Sequence, residues 1–567
     1  MIEFKEEQNL LNKIESLKKL TRILSIIRLI VALNAIIWII VGLSYVSYYL
    51  IIALISFLIL IATFIFTNKY YNLLALNLKK EDVYISHKRR RKNEISYFQD
   101  DGREFLDKLD YKLADLDVFG PHSLYQYMNA AKSKLGRNLL ANSLKGNKPI
   151  DERIRKSANA LVDEKTLNIE ASLLEFKQNS KSIDYDEYKS LLGKKIKLYI
   201  LSFVSILLFI SNIIYLIVAL INSYNLYPLI FIALGTIISA KILNNNEIFM
   251  LDAYKYYELS DAYLKVSKTI INLDFNDEYY NELKEEINKN IKGLKDIKNL
   301  YLTLSSRRNL IFNLVLNIFA YDFFLTLIYN KKINKIKDLT NLFDSVAKIE
   351  LITSFAIIGI DNEIYSIPEK SDFIEAKDLY HPLVKNCIPN DFKLNGGVIL
   401  TGSNMSGKTT FMRTIGINQI LFNAGGLVCA KEFKSNYYPI YTSLRANDML
   451  KEGISTFYAE ILRMKLANEG IKKEKSLVLI DEIFKGTNAY ERINASFKVI
   501  DKFNEYNSLF IISSHDFELC DAKNILNYHF SESYDENNKL IFDYKIKEGK
   551  CETKNALYLL KMANIID

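Results

Sequence analysis

The 567-residue chain is poor in residues that staple or break a fold, with four cysteines and seven prolines. Cys387, Cys429, Cys520 and Cys551 all fall in the last third and share no metal-ligand spacing. That excludes a disulfide framework and a zinc site, and it suits reduced cytosolic thiols. Scarce proline leaves room for long helices. No period of roughly 20 to 50 residues recurs, which excludes a solenoid. The largest absence is of charge: Leu29 to Asn68 is forty residues without a charged side chain, and Leu198 to Ala240 is forty-three. Elsewhere 74 basic and 66 acidic residues are concentrated, so an ordinary average composition conceals a chain of two characters.

A bilayer core takes about twenty apolar residues per helix, so each uncharged run has the length of two crossings and a short turn. The expected turns, Ser44 to Tyr49 and Asn222 to Pro228, carry tyrosines and no Lys or Arg, whereas Lys18, Lys19, Arg22, Lys194, Lys195 and Lys197 flank the runs. The positive-inside rule then puts both termini and everything outside the hairpins in the cytosol, with four transmembrane helices in the cell membrane. A signal peptide is not expected, because the first run is too long and a second follows. Asn309 to Tyr321 is too short to span before Asp322 interrupts, so the stretch through Ile328 reads as a buried core helix.

The strongest chemical signal lies further on. Gly402-Ser403-Asn404-Met405-Ser406-Gly407-Lys408-Thr409 fits G-x-x-x-x-G-K-[ST], between the apolar run Gly397 to Thr401 and a helical pattern opening at Thr410. Backbone N–H groups and a helix N-terminus would converge there on a phosphate, with Lys408 on the β- and γ-phosphates and the Thr409 hydroxyl on Mg2+. A second apolar run, Ser476 to Ile480, ends in Asp481-Glu482. Asp481 suits the magnesium shell, and Glu482 can orient and deprotonate water. A third, Ser508 to Ile512, ends in Ser513-Ser514-His515-Asp516, which would set His515 at the γ-phosphate. The pattern asks for a nucleoside triphosphate with Mg2+, and for Glu482, His515 and Lys408 as the catalytic set.

These residues carry a family resemblance. Thr401 to Thr410 (TGSNMSGKTT), Leu477 to Asn488 (LVLIDEIFKGTN), Ser513 to Leu519 (SSHDFEL) and Ser455 to Glu460 (STFYAE) resemble the ATPase domain of the MutS family. Tyr380-His381-Pro382 and Ile388 to Asp391 upstream, and Phe542 to Ile546 with Gly549 downstream, extend the likeness. Residues 115 to 165 are similar to the family's helical core through Ser123-Leu124, Lys134 to Arg137, Leu139-Leu140 and Ile154-Arg155.

The resemblance implies an α/β P-loop, ABC-type ATPase domain and an all-α core and lever domain that here carries two transmembrane hairpins. It implies a homodimer with nucleotide sandwiched between subunits, residues 402 to 410 contacting the phosphates and Ser455 reaching the γ-phosphate held by the partner chain. The residues themselves equally allow Ser455 to be a plain helix N-cap. Two departures matter. Cys387-Ile388 stands where relatives often stack an aromatic ring on adenine, and nothing corresponds to the mismatch-reading module.

The expected organisation is a lead-in and first hairpin over 1–100 (hairpin about 29–67), core over 101–190, second hairpin over 191–242 (about 198–240), lever and core helices over 243–368, and ATPase over 369–567. Net charge of +8 invites nucleic acid, but the densest basic run, His87 to Lys92, lies close after the first hairpin and reads as a contact to anionic lipid. Within the lever, Asp261 to Leu300 sets seven lysines against eight acids, which does not advertise phosphate binding. Three outputs stay open: a DNA-linked role, repair-like or tethering; a mechanochemical or scaffolding role on a membrane or protein partner; and transport, disfavoured because the hairpins contain no ionisable residue and only neutral groups such as Asn34 and Asn212.

Overall fold

A computed structural model describes residues 4–44, 49–107, 110–146, 151–176, 200–222, 229–230, 233–237, 253–305, 321–333, 339–403, 405–445, 456–484, 488–534 and 540–550. The chain forms two compact units, one of residues 1–130, 139–171 and 352–567, the other of 131–138 and 172–351. The architecture is mixed: helices dominate the N-terminal part and a sheet domain occupies the C-terminal part.

The first unit opens with two long helices, α1 (Glu7–Ser44) and α2 (Tyr49–Arg91). They end where the turn was expected, with 45–48 outside the described residues. Only 11% of the apolar window of α1 and 17% of that of α2 is buried in the protein. Ile37, Ile40, Leu58 and Phe66 all stand more than half exposed, unlike the core helices of a soluble domain. Asn34 is drawn between the helices, where its Oδ1 accepts from Ser56 Oγ at 3.1 Å.

Two helices, not four, are long and apolar enough to span among the described residues. Of the second uncharged run only an apolar helix at Ile200–Asn222 and fragments beyond it are described. Lys194, Lys195, Lys197 and the turn at 223–228 lie outside the described residues, so the second hairpin finds no four-span support.

The basic run at the end of α2 is corrected by the structure. His87 and Arg90 are buried. The two ring nitrogens of His87 lie 2.8 Å from Asp361 Oδ2 and 2.9 Å from Glu170 Oε1. Arg90 Nε donates to Tyr127 O at 2.9 Å and Arg91 Nε to Asp361 Oδ1 at 3.1 Å. Lys88 pairs with Glu7 and Arg89 with Glu94. A run of cations near a hairpin looked like a lipid contact because sequence hides the acids, 83 and 274 residues away, that claim His87.

Short helices follow: α3 (Tyr111–Asp115), α4 (Leu124–Met128), α5 (Lys134–Lys145), α6 (Glu152–Ala160) and α7 (Thr166–Leu173). Ser123 caps α4, its Oγ accepting from Gln126 N at 3.2 Å, and Asp151 caps α6. In the second unit, after α8 (Ile200–Asn222), α9 (Ala253–Asn272) and α10 (Glu278–Ser305) pack as a pair. Tyr280 Oη donates to Ile270 O at 3.0 Å, and Tyr256 stacks on Tyr301 at 5.4 Å. Their surface charges pair internally, as Lys265 and Lys298 both do with Asp261. Residues 243–252 of the expected lever lie outside the described residues, as does 306–320 of the expected buried helix. Its described continuation, α11 (Tyr321–Ile333), buries Phe323, Leu325 and Tyr329 and exposes Phe324, Leu327 and Ile328, so only one face is core. Helix α12 (Thr340–Asp361) is mostly buried, and wholly so from Ile349 to Asp361.

Among the described residues, ten strands complete the first unit. A four-stranded sheet runs in the order β1 (Glu369–Lys370), β5 (Glu432–Ser435), β2 (Ile374–Leu379), β3 (Asn390–Leu394). A six-stranded sheet runs β10 (Leu540–Glu548), β9 (Ile525–Tyr534), β4 (Gly397–Thr401), β8 (Leu509–Ser513), β7 (Leu477–Asp481), β6 (Ile440–Ser443), parallel except for β10. Strands β4 and β8 are buried throughout, and only the terminal Asp481 of β7 emerges, the unbroken apolar reading expected of a covered parallel sheet. Helices α13 (Lys408–Asn423), α14 (Thr456–Ile471) and α15 (Ala489–Glu505) supply the cover. Phe503, Phe510, Ile500 and Ile512 meet in one cluster under α15. Burying one such side chain contributes roughly 1.5–3 kcal/mol.

Candidate functional site

Register brings the polar strand ends together. Asp481 of β7 lies beside Ser513 of β8, and Leu400 of β4 lies on the other side of Ser513. The carboxyl ends of three central parallel strands therefore open onto one cleft, where ligands of such sheets bind.

The Gly-rich loop adopts the turn its pattern requires. Gly402 has φ 141° and a Cβ there would lie 2.7 Å from Phe530 O; Gly407 has φ 109° and ends the loop at the first turn of α13. Both positions need glycine. Lys408 is buried, and its Nζ donates to Gly402 O and Ser403 O, each at 2.8 Å, so the ammonium lies curled over the loop. Ser403 Oγ donates to Glu532 of β9. Gly402, Ser403, Met405, Ser406, Gly407, Lys408, Thr409 and Thr410 thus form one continuous loop and helix start, and Met405 stands 86% exposed at its tip. Asn404 lies outside the described residues.

Thr409 Oγ1 donates to Asp481 Oδ2 at 2.7 Å, across 72 residues of sequence. Ser513 Oγ donates to the other oxygen of Asp481 and accepts from Glu482 N at 3.2 Å. Glu482 takes φ 53°, a left-handed conformation that costs an L residue on the order of 1–2 kcal/mol and turns its carboxylate out of the strand line. Its Oε1 lies 3.3 Å from His515 Nε2. Asp516 is held by both arms of Arg492 at 2.7 Å, which anchors the turn that presents His515. Lys408, Thr409, Asp481, Glu482 and His515 are therefore one constellation. Ser455 lies outside the described residues.

Lys408, Thr409, Asp481 and Glu482 border a cavity of about 490 Å³ that is also lined by Val384, Cys387, Ile388, Phe411, Phe530 and Tyr544. The volume suits a nucleotide-sized ligand. Among the described residues no three His, Cys, Asp or Glu side chains cluster to hold a metal. The hydroxyl and carboxylate of Thr409 and Asp481 instead match a magnesium ion that keeps waters and shares phosphate oxygens.

Sequence reasoning missed two contributors. Ser513 sat inside a recognised strand end, but its bridge between Asp481 and Glu482 depends on sheet register. Tyr544 lies on β10, and its ring comes within 3.3 Å of a Cβ placed on Gly407. It puts an aromatic ring beside the phosphate loop, in a cavity where Cys387 and Ile388 offer none. Its signal was the Phe542 to Ile546 segment, noted for its likeness and given no role. Asn390 holds β10 there, donating to Tyr544 O at 3.0 Å and accepting from Ile546 N at 2.9 Å. Burial drives the thiol of Cys387 up, while the buried imidazole of His381 is driven down to about 4, so neither ionises near neutrality.

Residues 398–567 match MutS domain V. The chain is 32% identical over 256 residues to the DNA mismatch repair protein MutS of Acetivibrio thermocellus, covering 42% of this chain and 29% of that protein. It is 29% identical over 236 residues to MutS of Persephonella marina (39% and 27%), and 31% identical over 246 residues to MutS of Listeria welshimeri (41% and 28%). The matched stretch spans less than a third of the length of each of these relatives. The likeness to MutS proteins thus lies in the C-terminal part of the chain, through MutS domain V.

Proposed function

We propose that this protein is a membrane-anchored, Mg2+-dependent ATPase that works as a homodimer. The observation that carries the reading is the Thr409–Asp481 hydrogen bond at the mouth of a nucleotide-sized cavity, with Glu482 and His515 in contact beside it. Residues 402 to 410 cradle the phosphates, with Lys408 swinging from its loop carbonyls to the γ-phosphate. Thr409 and Asp481 hold the magnesium ion, which neutralises charge on the phosphate oxygens. Glu482 orients the attacking water and takes its proton, and His515 positions Glu482 and lies toward the γ-phosphate. Tyr544 and Phe530 form the base side. Ser455 of each subunit completes the partner's site.

Helices α1 and α2 anchor the engine in the bilayer, supported by the outward apolar face of both. The second uncharged run is proposed as a further membrane segment. The cycle moves the α9–α10 pair as a lever. The relatives' name favours a DNA-linked output; the inward pairing of lever charges favours a protein or membrane partner. A salt titration of duplex DNA binding separates them, because phosphate contacts weaken steeply with salt whereas flat, negligible binding leaves the second reading. In detergent-purified protein, Glu482→Gln is expected to retain Mg-ATP while phosphate release falls about 10²–10⁴-fold. Turnover undiminished in that variant would overturn the ATPase reading.

A further inference from the structure

One acidic segment of the helical core touches the nucleotide domain at three of its elements. Asp115, the last residue of α3, is fully buried and accepts from Leu444 N at 3.0 Å, just beyond β6, and from Arg463 Nη1 of α14 at 3.1 and 3.3 Å. The Arg463 guanidinium also lies 4.6 Å from the Tyr111 ring. Two residues on, Asp117 takes φ 48° and receives two arginines. Arg445 Nη2 donates to both its oxygens at 2.7 and 2.9 Å, and Arg413 of α13 forms an ion pair with it. Between them Leu116 is fully buried against α13, so close that a Cβ on Gly416 would lie 2.6 Å from it.

Three guanidinium groups thus converge on two carboxylates. Arg413 and Arg445 share one of them, and burial followed by repulsion from Arg445 pulls the Arg413 guanidinium down to about 10. Neither arginine can shift without altering the other's hold. Arg413 lies on the helix whose first turn carries Lys408 and Thr409, and that helix rests on β7 and β8, which carry Asp481 and Ser513. The lateral position of α13 over the sheet sets where the Thr409 hydroxyl falls relative to Asp481 and Glu482. Elsewhere in the molecule the His87 cluster has its charges matched internally, and the small polar crevice lined by Lys13, Lys80 and Glu6 is framed by both signs of charge.

We propose that Asp115 and Asp117 are positioning residues of the nucleotide site: they lock α13, the end of β6 and α14 to one segment of the core, and so hold the phosphate loop in register with the water-activating carboxylate. The inference rests on the ATPase reading and deepens it. Loop backbone groups and Lys408 grip the phosphates whether or not the clamp holds, so ATP affinity survives its loss. Placement of water between Glu482 and the γ-phosphate does not, since misplacement by about 1 Å costs up to about 100-fold in rate.

The test is Asp117→Asn, because asparagine keeps the left-handed backbone and removes only the charge. Asp115→Asn is the second variant; it strands Arg463 in a buried place, and where it fails to fold Asp117→Asn carries the result. Steady-state phosphate release, normalised to the ATP-binding sites titrated in the same preparation, should show kcat reduced about 10-fold with KM for ATP within about twofold, whereas loss of folded protein lowers rate and site count together and leaves the normalised kcat unchanged. A kcat per ATP-binding site that is unchanged, the lost rate being matched by a lost site count, overturns the positioning role while leaving the ATPase reading intact. A wild type without turnover, or turnover indifferent to Glu482→Gln, overturns the ATPase reading and the positioning role with it, and is told apart by that control.

Discussion

Two polar clusters in the first unit use similar side chains to opposite ends. Around His87 the charges face one another: Asp361 and Glu170 grip the two ring nitrogens, Arg91 takes the second oxygen of Asp361, and the cluster is sealed from water. At the strand ends Lys408, Thr409, Asp481 and Glu482 face an open cavity, Glu482 in a left-handed conformation beside His515 and Lys408 turned back on its own loop. The first cluster is complete as it stands and ties the C-terminal end of α2 to the last residue of the helix that leads into the sheet domain. The second is left open toward the cavity. Buried charge by itself does not mark a reaction centre; charge aimed at a cavity does.

The sharpest way to break the contrast is at the open cluster. Lys408→Ala is expected to lower ATP turnover by at least about 100-fold, and Ser455→Ala to depress it strongly. Mixing the two inactive chains should restore part of the rate, measured by phosphate release, because one composite site regains both halves. No recovery would argue against subunit sharing.

His87→Gln leaves two buried carboxylates facing a neutral group, and about 3–5 kcal/mol of stability should be lost by thermal melting in detergent, with KM for ATP within about twofold. The closed cluster also predicts a pH dependence. Burial alone would lower the His87 imidazolium, but the charges of Asp361 and Glu170 and the hydrogen bonds to both outweigh it and raise its pKa from 6.5 to about 9. A raised pKa means that folding takes up a proton, so this stabilisation is complete below about pH 6.5 and fades as pH climbs through about 9. Melting temperatures across that window should fall in the wild type, and the fall should flatten in His87→Gln. A smaller effect is expected at Tyr544→Ala, where losing a ring at the base side should raise KM for ATP about threefold to tenfold, with Tyr544→Phe close to wild type.

Much of the sheet domain was legible in the chain. Buried parallel strands appear as short apolar runs, and the turn after each must carry the polar groups, so Thr409, Asp481, Glu482 and His515 could be named from position. Helices α1 and α2 were equally legible through the missing charge. The fate of His87 to Arg91 was not, since a side chain's partner can lie 274 residues away and no local pattern records it. Nor was Tyr544, which reaches the loop only because β10 folds antiparallel onto β9 and Asn390 fastens it.

Sequence alone determined the phosphate loop, the carboxylate pair and the outward apolar face of the N-terminal helices. Each is a local matter, set by backbone freedom at glycine, by apolar runs that end in polar residues, or by a long run without charge. Tertiary structure decided which charges neutralise each other and which face a ligand, because Coulomb and hydrogen-bond energies depend on distances and burial that only the packed chain defines.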